Sequence, residues 1–154
     1  MRFLGNIEAK IDTKGRAFLP SVFRKQLMAA SEGSLVLRRD SFQSCITVFP
    51  LSVWYEQMDM LRKRLNRWDA RDQMIFREFV CEAEEVTLDS NGRLLISKKL
   101  LNKANITQAI RFIGMGDVIE IWSNDNGDQQ FMDAEEFSKA LQEAMAANGE
   151  QSQS

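Results

Sequence analysis

A five-residue phrase occurs twice in this chain, as Asp12-Thr13-Lys14-Gly15-Arg16 and as Asp89-Ser90-Asn91-Gly92-Arg93. The aspartates lie 77 residues apart, and the flanks agree at the same offset: Glu8 falls on Glu85, Ile11 on Leu88 and Phe23 on Leu100. An internal repeat of this length points to a duplicated supersecondary unit. The phrase also has a mechanical reading. Its aspartate can accept hydrogen bonds from amides two or three residues on, and its glycine supplies the positive φ that closes a turn. Arginine then leaves from the exit, where a strand begins. One isolated copy reads as a plain hairpin with local Asp–Arg pairing. Two copies with matched flanks establish duplication rather than function.

The elements repeat in order. Ile7, Ala9 and Ile11 alternate as in a half-buried strand, Phe3-Leu4-Gly5 reads as a short strand before them, and Arg16–Leu19 is the return strand. Pro20 suits the first turn of a short helix that Phe23 and Leu27 pack down. Leu35–Arg38 and Cys45–Phe49 follow as strands around a polar turn. In the second unit Glu85–Leu88 leads in and Arg93–Ile96 leads out. Ser97 then N-caps a helix to Ala104, and Ile110–Ile113 and Val118–Trp122 close the unit.

Between the units, Trp54, Met58, Leu61, Leu65, Trp68, Ile75 and Phe79 form a helical stripe. Asn66 and Asp69 break and re-cap it, which predicts two helices packed on a sheet or a neighbour, with Arg62, Lys63, Arg64, Arg67 and Arg71 on the solvated face. Asn126-Gly127 marks a tight turn, and Asp133 with Glu136 forms a capping box ahead of Phe137, Leu141 and Met145 on an amphipathic helix. The expected organisation is a first unit over 1–51, a helical linker over 52–81, a second unit over 82–125, a turn and helix over 126–147, and a disordered polar tail over 148–154.

Composition excludes several functions. Among 154 residues there is no histidine, which removes Ser-His and Cys-His catalysis and the common histidine metal sites. No glycine-rich phosphate loop accompanies the carboxylates, so an enzyme, a cofactor site and a metal site are not expected. Cys45 and Cys81 sit in apolar contexts and read as buried free thiols; Trp54, Trp68 and Trp122 read as core. No apolar run approaches a membrane span and the start lacks a secretory hydrophobic region, so the expected location is the cytoplasm. Charge is polarised. Residues 1–40 carry eight Lys/Arg against four Asp/Glu, whereas residues 117–154 carry one against nine. Such asymmetry suits anion binding at one face only.

These residues resemble the MraZ family of bacterial transcriptional regulators. The matching positions are Phe3-Leu4-Gly5, Asp12–Arg16 with Pro20, Phe23 and Arg24, Cys45–Pro50 with Trp54, and Asp89–Ile96. The resemblance implies an α+β fold, mostly β with packed helices, in which two AbrB-type swapped-hairpin units form a pseudo-symmetric small β-barrel. Each unit alone lacks apolar surface for a closed core, so interdigitation is expected. The resemblance also implies a homo-oligomeric ring of about eight or twelve subunits. By the same resemblance, such a ring would be expected to bind double-stranded DNA at short direct repeats upstream of the division and cell-wall gene cluster, as a repressor at the nucleoid.

For the contacts, Arg16 has the side chain suited to bidentate contact with guanine, Lys14 at the turn tip would neutralise phosphate, and Lys10 and Arg24 are weaker candidates. Asp12, Gly15, Asp89 and Gly92 would shape the turns. Asn91 replaces the tip lysine in the second phrase, and Ser97-Lys98 departs from the proline that follows the first; Arg93 therefore reads as structural or interfacial. The competing reading is an oligomeric scaffold that binds a partner through its acidic end and middle helices, without specific DNA binding.

Overall fold

The computed structural model describes residues 1–125 and 127–153. Eight strands and five helices appear in chain order: β1 Asn6–Lys10, β2 Arg16–Phe18, α1 Ser21–Ala29, β3 Leu35–Arg39, β4 Ile46–Pro50, α2 Leu51–Arg64, α3 Ala70–Cys81, β5 Glu84–Val86, β6 Arg93–Leu95, α4 Lys98–Lys103, β7 Ala109–Gly114, β8 Ile119–Ser123 and α5 Ala134–Gln153. The order strand, strand, helix, strand, strand therefore occurs twice, with α2 and α3 between.

Pairing interleaves the halves. A six-stranded antiparallel sheet runs β1-β7-β8-β4-β3-β5, and β2 pairs with β6 in a separate two-stranded ribbon. The first strand of each half thus pairs with the third strand of the other. Neither half holds its own core, because the cluster that contains Phe3, Phe23 and Leu37 also contains Leu94, Leu100 and Phe112. The β2–β6 ribbon contributes Ala17 and Leu94 to this cluster, α1 adds Leu27, and α4 adds Leu101.

The opposite sheet face is set by strand alternation. Val36 and Arg38 of β3 lie beside Phe49 and Thr47 of β4, and this face receives α2 and α3. Trp54 packs edge-on to Phe49 at 5.1 Å and stacks on Phe79 at 5.0 Å. The buried Arg38 lies over the Phe79 ring, and its Nε donates to the Phe79 carbonyl at 2.8 Å. The two linking helices form as the stripe predicts. Asp69 caps α3 by accepting from the Asp72 amide, and Asn66 Oδ1 accepts from the Trp68 amide.

Several expectations are corrected. The sheet does not close into a barrel: among the described residues β1 and β5 are unpaired at their outer edges, since β2 and β6 pair with each other as a separate ribbon. Phe3-Leu4-Gly5 makes only an isolated bridge, from Phe3 to Gly116. Trp68 is not core but 95% exposed, because the Asn66–Asp69 capping turn lifts it off the helical stripe. Cys81 is exposed at the end of α3, a helix with no fully buried residue, while Cys45 is buried as predicted. The polar tail is not disordered through its length: α5 continues to Gln153, in keeping with its alanines, glutamines and glutamates. Ser154 and Asn126 of the predicted Asn-Gly turn lie outside the described residues.

Candidate nucleic-acid interface

The two phrases fold into the same turn. Asp12 Oδ1 accepts from the Lys14 and Arg16 amides, each at 2.9 Å, and Oδ2 accepts from Arg16 Nε at 2.8 Å. Asp89 does the same with the Asn91 and Arg93 amides at 2.9 and 2.8 Å and with Arg93 Nε at 2.7 Å. Each arginine is thereby held by one edge of its guanidinium. Each aspartate thus bonds to amides on both sides of its glycine.

The glycines are required by both backbone and space. Gly15 has φ of 84° and Gly92 of 80°, a region that side chains disfavour. A Cβ on Gly15 would sit 2.6 Å from the Ile96 carbonyl oxygen, and one on Gly92 would strike the Arg24 side chain. Each turn is clamped by the opposite half. Leu19 N–H donates to the Gly92 carbonyl at 3.1 Å, and Ile96 N–H donates to the Gly15 carbonyl at 2.8 Å.

Register then decides what faces solvent. Arg16 is opposite Leu95, Ala17 opposite Leu94, and Phe18 opposite Arg93. Directly paired residues share a face and neighbours alternate. The Ala17–Leu94 pair faces the core, so Arg16, Leu95, Phe18 and Arg93 share the outer face. Phe18 and Leu95 are 59% and 55% exposed there. Two arginines from residues 77 apart in sequence meet on one two-stranded ribbon, separated along it by about 7 Å. Reading the halves separately misses this juxtaposition, although the shared offset of Arg16 and Arg93 carries the signal.

The other candidate residues are distributed unevenly. Lys14 is exposed at the first turn's tip, and Lys10 is exposed on the outer face of β1. Arg24 lies against Gly92 and Asp89 in a small cavity, so it backs the second turn although α1 belongs to the first half. Arg93 differs from Arg16 in lying over a neighbouring ring, 5.9 Å from the centre of Phe18. Elsewhere, Asp40, Cys45 and Glu120 approach one another, but burial pushes the Cys45 thiol and the Glu120 carboxyl up, towards their neutral forms.

The electrostatics of the turns follow from these bonds. The Arg16 amide, with further help from the Arg16 side chain and the Lys14 amide, holds the Asp12 carboxyl below its ordinary value; Asp89 is lowered likewise by Arg93 and Asn91. A carboxyl lowered on folding contributes stability above its unfolded pKa and loses that contribution as pH falls through the folded value. In a carboxyl-detected NMR titration, Arg16→Ala should raise the Asp12 pKa only part-way, because the amide bonds remain, and should leave Asp89 unmoved. An Asp12 that titrates at the ordinary carboxylate value in the unmodified protein would contradict this account of the turn.

The site carries arginine and lysine side chains at the surface of an α+β scaffold, with the turn amides taken up by Asp12 and Asp89. Similarity gives the class. The family described as "MraZ protein, putative antitoxin-like" matches residues 2–77 and 79–148. The chain is 57% identical over 148 residues to the transcriptional regulator MraZ of Phocaeicola vulgatus, covering 96% of each chain. It is 54% identical over 145 residues to that of Bacteroides thetaiotaomicron, covering 94% of this chain and 93% of that one. It is 49% identical over 145 residues to that of Bacteroides fragilis strain YCH46, covering 94% and 92%. The chain belongs to the MraZ family, a family of transcriptional regulators and not of enzymes. No helix among the described residues is long and apolar enough to cross a membrane.

Proposed function

We propose that this protein is a sequence-specific DNA-binding regulator, acting as a repressor of the division and cell-wall gene cluster. It binds short direct repeats upstream of its own gene as a ring-shaped homo-oligomer, in the cytoplasm at the nucleoid. The observation that carries the reading is the β2–β6 ribbon with Arg16 on its exposed face and the guanidinium braced from behind by Asp12. A major groove admits a two-stranded ribbon, and a braced guanidinium loses less freedom when it pairs with guanine. Lys14 neutralises phosphate beside it, with Lys10 as a further cation. Arg24 and Arg93 support the second turn. Phe18 between the arginines offers an apolar contact of the kind thymine methyls take.

One such face binds weakly. Identical faces on an oligomer raise effective concentration at spaced repeats and recover affinity. The test is a titration of the DNA upstream of the gene against a scrambled duplex at two salt concentrations. Specific binding that weakens steeply with salt is the expected result, because phosphate contacts release counterions. Equal affinity for both duplexes would reduce the ribbon to a generic basic surface, and no binding at either salt would favour the scaffold.

A further inference from the structure

A second surface is built from residues that the ribbon does not use. Between α2, α3 and the β3–β4 loop lies an open groove of about 960 Å³. Met60 and Met74 in its wall are 52% and 64% exposed, and Ile75 is 44% exposed. Arg64 and Arg71 also line it, both exposed, against a single acid, Glu78, while Arg38 at its floor is buried and paired with Glu82. Apolar surface gathered in a concavity with basic groups suits an acidic amphipathic helix laid in by its apolar face.

The chain carries such a helix. Phe137, Leu141 and Met145 recur at every fourth position of α5, on one face, and are 56%, 48% and 65% exposed. They span about 12 Å of helix. Asp133, Glu135, Glu136 and Glu143 accompany them, with Lys139 as the cation of that stretch. The segment is fixed at its origin: Arg111, buried in the sheet, donates to Asn124 and pairs with Asp128 at 3.0 Å, and Asp133 caps the helix by accepting from the Glu136 amide. Beyond that anchor the apolar face of α5 remains exposed.

We infer that α5 of one copy docks into the α2–α3 groove of a second copy of this chain. Charge complementarity selects this occupant: the acidic helix and the arginine-lined groove are both unfilled on the same molecule. Because helix and groove are different patches, the contact is heterologous, and it propagates from copy to copy until it closes into a ring. The inference rests on the oligomer in the proposed function and names the contact that builds it; it does not depend on DNA.

The test uses two full-length variants, Leu141→Asp in the helix and Ile75→Asp in the groove, both at partly exposed positions outside the core. Mass is read by light scattering without DNA. Wild type should be an oligomer, and each variant alone should run at one chain mass, 17.7 kDa. Mixed together they should form a heterodimer of twice that mass, because one supplies an intact groove and the other an intact helix. That recovery also shows that both variants are folded. The charge variants Arg64→Glu with Arg71→Glu, and Glu136→Lys with Glu143→Lys, should each also run at one chain mass, and mixed they should recover the oligomer rather than a heterodimer, because exchanged charges restore the contact in both directions. An oligomeric wild type whose variants keep its mass, or variants that stay monomeric when mixed, overturns the contact. A monomeric wild type overturns the oligomer reading itself, while DNA binding is read separately by titration.

Discussion

Arg16→Ala should abolish the preference for promoter repeats over scrambled DNA while leaving the mass of the assembly unchanged. Losing one bidentate contact to guanine removes about 1–3 kcal/mol of discrimination per site, and a repeated array compounds the loss at each occupied repeat. The substitution also uncovers the Asp12 carboxylate, which then faces phosphate without its guanidinium. The turn itself survives, because Asp12 keeps its bonds from the Lys14 and residue-16 amides and Gly15 keeps its clamp on Ile96.

Arg16→Lys is the informative companion. It retains charge and therefore most of the salt dependence, but not the fork that pairs with guanine, so specificity should fall with little change in salt slope. Arg93→Ala should cost less than Arg16→Ala, since Asn91 replaces the tip lysine and Phe18 already occupies one side of Arg93. Equal losses from the two alanine variants would place both turns on DNA. Unchanged binding in Arg16→Ala would remove the ribbon from the proposal.

The second large effect is on folding. Phe23→Ala should destabilise the protein by about 3–5 kcal/mol, the range for emptying a buried aromatic site. Phe23 is fully buried and meets Phe3 edge-on at 5.6 Å. The loss would be a large share of the roughly 5–15 kcal/mol that holds a typical domain folded. More telling is the shape of the transition. Phe23 belongs to the first half by sequence, yet its cluster includes Leu94, Leu100 and Phe112 of the second. Urea unfolding should therefore remain one cooperative step, shifted to lower denaturant, when followed both by tryptophan fluorescence and by far-UV circular dichroism. Two separated transitions would mean that the halves fold as independent tandem domains.

Local chemistry made much of this protein legible from its residues alone. The turns were readable because Asp, Gly and Arg act within five residues, and hydrogen-bond geometry over that span leaves few alternatives. The helices over 51–64 and 70–81 were readable from apolar spacing, and their break from Asn66 and Asp69, whose side chains compete for nearby amides. Trp68 was misplaced for the same reason: the stripe was extended through a turn that redirects it.

Only the tertiary structure decided what each turn stands beside. A repeat states that two segments share local preferences, but not whether each strand pairs within its own half or across to the other. Non-local pairing is chosen by the burial of the whole core. Here that choice put β2 against β6, left the six-stranded sheet open, and set Arg16 and Arg93 on one exposed face. Arg24, on α1 of the first half, likewise lies beside Gly92 and Asp89 of the second turn, because α1 packs where the opposite half supplies its neighbours. The sequence by itself determined the turns, the helices and the duplication. The interleaving of the halves, and with it the composition of the exposed ribbon face, depended on contacts too distant in sequence for local preference to specify.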